Sequence, residues 1–137
     1  MTAAPTMIVR ARRVLVLANP EAGAKRGGPA GEAAARVASR AGCAVTLQRT
    51  VQPGDARQFA SRAEAQGFDL VVVAGGDGTL NEAANGLAGS RVALGVAPAG
   101  TMNLLARVLG LPLDPAQAVQ RLIDGYRPCA IKPGTVA

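Results

Sequence analysis

Four short apolar runs recur along the chain, VLVLA at 14–18, AVTLQRT at 44–50, DLVVVA at 69–74 and VALGVA at 92–97. Between them, apolar residues return at steps of three and four. A run that is apolar throughout suits a strand buried on both faces, and a 3.6-residue stripe suits a helix laid over it. Strands alternating with helices predict an α/β fold: an open, mostly parallel sheet with helices on both faces and right-handed crossovers. A weaker fifth run, YRPCAI at 126–131, contains Pro128, which confines it to a sheet edge.

The helices carry their own punctuation. Pro29 opens the first, Ala33, Ala34, Val37, Ala38 and Ala41 line one face, and Gly42 closes it. Pro53 opens the second, with Ala56, Phe59, Ala60 and Ala63 on its apolar stripe and Gly67 at its end. Leu80, Ala83, Ala84 and Leu87 mark a third, and a fourth covers 103–109. The fifth has Asp114 as N-cap, Pro115 as its first residue and Gly125 as its stop. Hydrophobic residues make up 49% of the chain but aromatic ones only 2%. The core must therefore be Val, Leu, Ile and Ala, which favours close approach of helix to sheet.

Ligands of open α/β sheets lie beyond the carboxyl ends of the strands. Three glycine-bearing loops leave the sheet at that end: NPEAG at 19–23, GGDGT at 75–79 and PAGTMN at 98–103. Glycine lets backbone N–H groups approach an anion closely, and a helix start adds unpaired N–H groups and a positive pole. A phosphate chain is the natural occupant of GGDGT. Asp77 opposes that occupant, since a carboxylate about 4 Å from a phosphate charge is repelled by roughly 1 kcal/mol in water and about 4 kcal/mol at an effective dielectric of 20. It calls for Mg²⁺ or a hydroxyl donor beside it. Asp77 as N-cap of the third helix is the structural alternative. Asn81, Glu82 and Asn85 form that helix's polar face, either solvated or fixing the glycine turn; Thr101 and Asn103 suit capping, and Asn19 before Pro20 suits a turn.

Several chemistries are excluded on residues. The chain has no histidine, which removes His-based triads, and no cysteine pair at ligand spacing, which argues against zinc. Cys43 and Cys129 read as small buried thiols. The dinucleotide fingerprint would need glycine where Asn81 stands, the P-loop would need a hydroxyl residue after Lys25, and no G-x-S-x-G surrounds Ser39, Ser61 or Ser90. A net charge of +6 favours anionic partners: phosphorylated ligands, acidic lipids or nucleic acid. Only Phe59, Phe68 and Tyr126 are aromatic and none lies in a basic cluster, which argues against nucleic acid. No apolar run approaches the roughly 18 residues of a membrane span, and the amino terminus lacks a signal-like apolar stretch. The expectation is a cytoplasmic protein: a flexible segment over 1–11, then one domain over 12–137.

NPEAG, GGDGTLNEAANGL and PAGTMNLLAR, in this order and spacing, resemble the diacylglycerol kinase catalytic domain shared by diacylglycerol kinases, sphingosine kinases and bacterial lipid kinases. NAD kinases also carry GGDGT, but the continuation NEAANGL and the later GTMN favour the lipid branch. The resemblance implies ATP and Mg²⁺ as cofactors. It implies nucleotide contacts from Asn19, Pro20, Glu21, Ala22 and Gly23, from Thr50, from Gly75, Gly76, Asp77, Gly78, Thr79, Leu80 and Asn81, and from Thr101. Asp77 would be the catalytic residue. The partners implied are the nucleotide and a lipid hydroxyl acceptor, with the basic surface suited to docking at the inner, acidic membrane face.

The chain also departs from the family. Leu104 follows Asn103 where many members have aspartate, which bears on the acceptor. Family kinases are longer, and their second, β-rich domain supplies the general base, metal ligands and lipid cleft. The expectation is the nucleotide-binding half of a lipid kinase, incomplete on its own. A nucleotide-binding module without chemistry and a soluble-substrate kinase of the NAD kinase type are the alternatives.

Overall fold

Val14, Val16, Val71, Val72 and Val73 have no solvent exposure, as β-branched residues on a two-sided sheet should. They lie in a computed structural model that describes residues 8–126. Its strands are β1 (Arg13–Ala18), β2 (Ala44–Arg49), β3 (Leu70–Gly75) and β4 (Ala93–Pro98). Its helical segments are α1 (Ala22–Lys25), α2 (Gly27–Arg40), α3 (Asp55–Ala63), α4 (Asp77–Gly86), α5 (Leu104–Val108) and α6 (Pro115–Asp124).

The strands pair in parallel in the order β2-β1-β3-β4. Period-two alternation sends Val14, Val16, Leu70 and Val72 to one face, beneath α2 and α6. Leu15, Leu17, Val71 and Val73 point to the other face, beneath α3, α4 and α5. Helices thus cover both faces, as the alternation predicts. Full burial of each Val or Leu is worth about 1.5–3 kcal/mol, so the central strands carry much of the stability. From β1 the chain moves outward to β2, then crosses back to β3 on the other side of β1. The winding reverses between β1 and β3, where sheets of this kind open a crevice at their carboxyl ends.

Helix faces differ in detail from the sequence pattern. In α2 the buried residues are Gly27, Ala30, Gly31, Ala34 and Ala38, while Ala33 and Val37 are half-buried and Ala41 is exposed. The helix turns its smallest side to the sheet because a Cβ on Gly31 would lie 2.6 Å from the Ala18 Cβ. That close approach has room for hydrogen only. The helix also begins two residues before Pro29. In α3, Gly54 with φ +93° is the N-cap, so Pro53 stands just outside the helix. For α6 the punctuation holds: the Asp114 side chain accepts from the Gln117 N–H, with Pro115 at the first turn.

The amino ends of the strands are tied together. Asp69 precedes β3, and its Oδ2 accepts from the N–H groups of Arg12 and Arg13, each at 2.9 Å. Residues 8–11 fall in the segment expected to be flexible, yet Val9 and Tyr126 exchange two backbone hydrogen bonds of 2.8 and 3.0 Å. Tyr126 is the described part of the fifth run; the rest of that run, with Cys129, lies outside the described residues. Among the described residues no helix is long and apolar enough to cross a membrane.

Candidate functional site

The register aligns the strand ends at one rim. Ala18 pairs with Ala74 and with Arg49, and Ala74 pairs with Ala97. Asn19, Thr50, Gly75 and Pro98 therefore leave the sheet side by side, and the three glycine loops meet over the β1/β3 crevice.

Asn19 links the first loop to the second. Its Nδ2 donates to Thr79 Oγ1 at 2.9 Å, and its Oδ1 accepts from the Glu21 N–H at 3.1 Å. Thr79 is buried in the first turn of α4. Beyond Glu21 the chain takes three consecutive left-handed residues, Gly23 (φ +44°), Ala24 (φ +55°) and Lys25 (φ +66°). For Ala and Lys such a conformation costs about 1–2 kcal/mol each, so a tie from the loop to the rest of the fold must hold it. The Arg26 guanidinium does so: Nε donates to Gly23 O at 2.7 Å and Nη2 to Gly100 O at 3.0 Å.

The glycines of GGDGT divide the work. A Cβ on Gly76 would lie 3.1 Å from Gly100 Cα, and one on Gly100 would lie 2.4 Å from Gly76 Cα. Here the second loop approaches the third loop's backbone. Gly78 is exposed, and beyond its chain neighbours and the backbone of its own helix no atom lies within 4 Å of where its Cβ would stand. It is the glycine of the three that faces open space. No side chain caps α4, whose N-cap is Gly76; the first N–H used within the helix is that of Leu80, donated to Gly76 O at 3.1 Å. The start of α4 therefore presents backbone N–H groups and the positive end of the helix to the rim.

Asp77 is not the N-cap of α4. Its Oδ1 accepts from the Leu104 N–H at 2.9 Å, across to the start of α5. The left-handed Asn103 (φ +52°) closes the third loop: Oδ1 accepts from the Gly100 N–H and Nδ2 donates to Gly100 O, both at 3.0 Å. Thr101 is exposed on that loop.

A cleft of about 560 Å³ opens between the first loop and the β2–α3 connection, lined by Asn19, Pro20, Glu21, Arg49, Thr50, Val51, Gln52, Pro53, Ala56, Thr79 and Glu82. Asn19, Pro20, Glu21, Thr50 and Thr79 are thus brought together in the cleft. Ala22 and Gly23 sit on the side facing the third loop, where a Cβ on Gly23 would lie 2.2 Å from Ala99 O. Gly75 is buried beneath Thr79. Leu80 faces away: its side chain is 2% exposed, in the core under α4. With its N–H also committed, Leu80 anchors the loop and offers a ligand nothing of its side chain. Asn81 is half-buried one turn into α4, and its carbonyl accepts from Asn85 Nδ2 at 2.9 Å.

Sequence reasoning missed Arg26, Arg49 and the 51–53 stretch as site residues, because nothing local separates Arg26 from a surface arginine. Glu82 was legible as polar but not as a strut; its Oε1 accepts from the Gly54 N–H at 3.0 Å, fixing the far wall of the cleft.

Chemically, the rim offers an anion site at the α4 start and a mixed apolar and polar cleft beside it. Mg²⁺ needs only one or two carboxylates when phosphate and water complete its shell. Asp77, at the mouth of the glycine turn with one oxygen already engaged, meets that modest requirement. Among the described residues no group of three or more His, Cys, Asp or Glu could hold a metal by itself.

A family model described as the diacylglycerol kinase catalytic domain matches residues 13–130. A diacylglycerol kinase of Staphylococcus saprophyticus is 42% identical over 89 residues, covering 64% of this chain and 29% of that protein. A diacylglycerol kinase of Bacillus subtilis strain 168 is 45% identical over 89 residues, covering 63% of this chain and 29% of its own length. Among solved structures, a diacylglycerol kinase from Bacillus anthracis str. Sterne superposes with a TM-score of 0.74 at 31% identity, over 85% of this chain and 43% of that one. The chain spans less than a third of these curated relatives and less than half of the solved one.

Proposed function

The chain belongs to the diacylglycerol kinase catalytic domain family, and from that premise we propose that it binds ATP at the glycine-loop rim and presents the γ-phosphoryl group to a lipid hydroxyl. The observation that carries this reading is the exposed, uncapped start of α4 at Gly78, set beside a cleft at the β1/β3 reversal. The polyphosphate lies along the N–H groups of Gly78 and Thr79. The nucleoside half occupies the cleft between Pro20, Thr50, Val51 and Pro53. Asn19, Gly75, Gly76 and Asn81 hold the loops in register around it, and Thr101 approaches from the third loop.

Asp77 is the catalytic residue in this reading, the carboxylate that would hold Mg²⁺ against the phosphates. When bound, Mg²⁺ supplies charge neutralisation on the phosphoryl oxygens. The residues themselves orient the chain and exclude water from its backbone side. A lipid acceptor in preference to a soluble one is supported by the surface flanking the third loop. Met102, Leu104, Val108 and Leu109 are exposed there, Val108 by 81%. A protein that meets its acceptor in this way works peripherally, on the cytoplasmic face of a membrane.

The test is calorimetry of ATP binding with and without Mg²⁺. The expected result is binding that Mg²⁺ strengthens in the parent, with the Mg²⁺ increment lost in Asp77→Asn, whose amide oxygen can still accept from the Leu104 N–H. Equal ATP affinity in parent and variant at all Mg²⁺ concentrations would remove Asp77 from the site.

A further inference from the structure

The geometry points to Arg26 as a positioning residue that joins the first glycine loop to the third and holds the site assembled before any ligand arrives. The inference rests on reading the rim as a nucleotide site, but its physical content lies in the ligand-free protein. Arg26 is the residue through which a side chain of the first loop reaches the third. Its Nε donates to Gly23 O at 2.7 Å and its Nη2 to Gly100 O at 3.0 Å, across 74 residues of sequence.

Both acceptors sit where the backbone most needs holding. Gly23 begins the left-handed run that continues through Ala24 and Lys25. Gly100 is the residue whose Cα approaches Gly76 and whose N–H and carbonyl are both bonded by Asn103. A planar guanidinium donates in two fixed directions at once, whereas an ammonium is a compact point donor that cannot span both carbonyls in the same way. The role therefore belongs to the fork and not to the charge.

A positioning Arg26 and an Arg26 in direct contact with a phosphate differ in what they do to the ligand-free loops. In the ligand-free protein, hydrogen exchange of amides 23–26 and 100–103 should accelerate by about tenfold in both Arg26→Ala and Arg26→Lys, the effect of losing about one net hydrogen bond's worth of protection. Amides of β1 and β3 and those loops in Arg36→Ala, an exposed charge control on α2, should not change. ATP affinity should fall by a similar factor in both Arg26 variants, with adenosine affinity unaltered.

Full recovery of ATP affinity in Arg26→Lys would show a direct charge contact and overturn the positioning role. Unchanged loop exchange in both variants would overturn it as well. If the loops respond but the parent binds no ATP, the staple stands and the nucleotide reading fails. Should Arg26→Ala not fold, Arg26→Lys carries the same comparison.

Discussion

Gly76 and Gly78 stand two positions apart in one motif and answer to different neighbours. Gly100→Ala would drive a Cβ to within 2.4 Å of Gly76 Cα; since the obstacle is backbone, the expected loss is about 1–3 kcal/mol in urea unfolding. Gly78→Ala meets no atom within 4 Å beyond its chain neighbours and its own helix backbone and lies inside α4, so stability should hold or rise by about 0.5–1 kcal/mol. ATP affinity should nevertheless fall, because the new methyl would stand where the proposed site places the phosphate. A stability loss in Gly78→Ala would contradict this division. Cys43 offers a second check at the same scale. Burial first, and the nearby Asp69 charge second, push its thiol above the ordinary range, and its Sγ donates to Ala11 O at 3.4 Å. Both causes penalise the thiolate, so at any pH near 8 the ionised fraction is lower than in a free peptide. In a Cys129→Ser background, Cys43 should react with a disulfide reagent more slowly than an unfolded control, with its ionisation midpoint shifted upward. The residue types of the glycine loops were legible from sequence; which glycine faces the protein and which faces solvent was not.

At the scale of elements, the low aromatic content has a visible consequence: helices come close enough that glycine is required between them. A Cβ on Gly86 of α4 would lie 2.3 Å from Arg57 O and 2.9 Å from Ala60 Cβ on α3. Gly86→Ala should therefore cost about 1–3 kcal/mol by overpacking, although alanine is the better helix former. A thermal midpoint equal to or above the parent's would show that the α3–α4 contact can spread at no cost. The existence and order of α2 to α6 followed from the stripes and punctuation, and their ends shifted by a few residues. Asp77 was an acceptable N-cap by sequence, but α4 is capped at Gly76 and the carboxylate instead receives the Leu104 N–H of α5. The α1 turn was not foreseen, because its left-handed Ala24 and Lys25 run against their own preference and persist under contacts from elsewhere.

For the molecule as a whole, the net charge of +6 pointed to anions without saying where. Exposed Arg10, Arg12, Arg13, Arg40 and Arg91 lie at or beside the amino ends of the strands, at the rim opposite the glycine loops. The functional rim mixes Lys25, Arg26, Arg49 and Arg107 with Glu21, Asp77 and Glu82. A phosphate bound there, as proposed, would therefore be held by local backbone and not by bulk charge. The chain spans 43% of the solved relative, and phosphoryl transfer needs both substrates held in line. The expectation is that this chain binds ATP but transfers labelled phosphate to diacylglycerol on the order of a hundredth as fast as a full-length relative, or slower. Turnover at the relative's rate would show that the described domain suffices. Periodicity, glycine and proline are properties of neighbouring residues, and they determined a parallel sheet with helices on both faces and the rim at which its glycine loops gather. The tertiary structure decided which loop touches which: Arg26 to Gly100, Gly76 to Gly100, Asp77 to Leu104. Those pairings depend on the strand order β2-β1-β3-β4, a long-range arrangement that brings distant segments together and that no local pattern encodes.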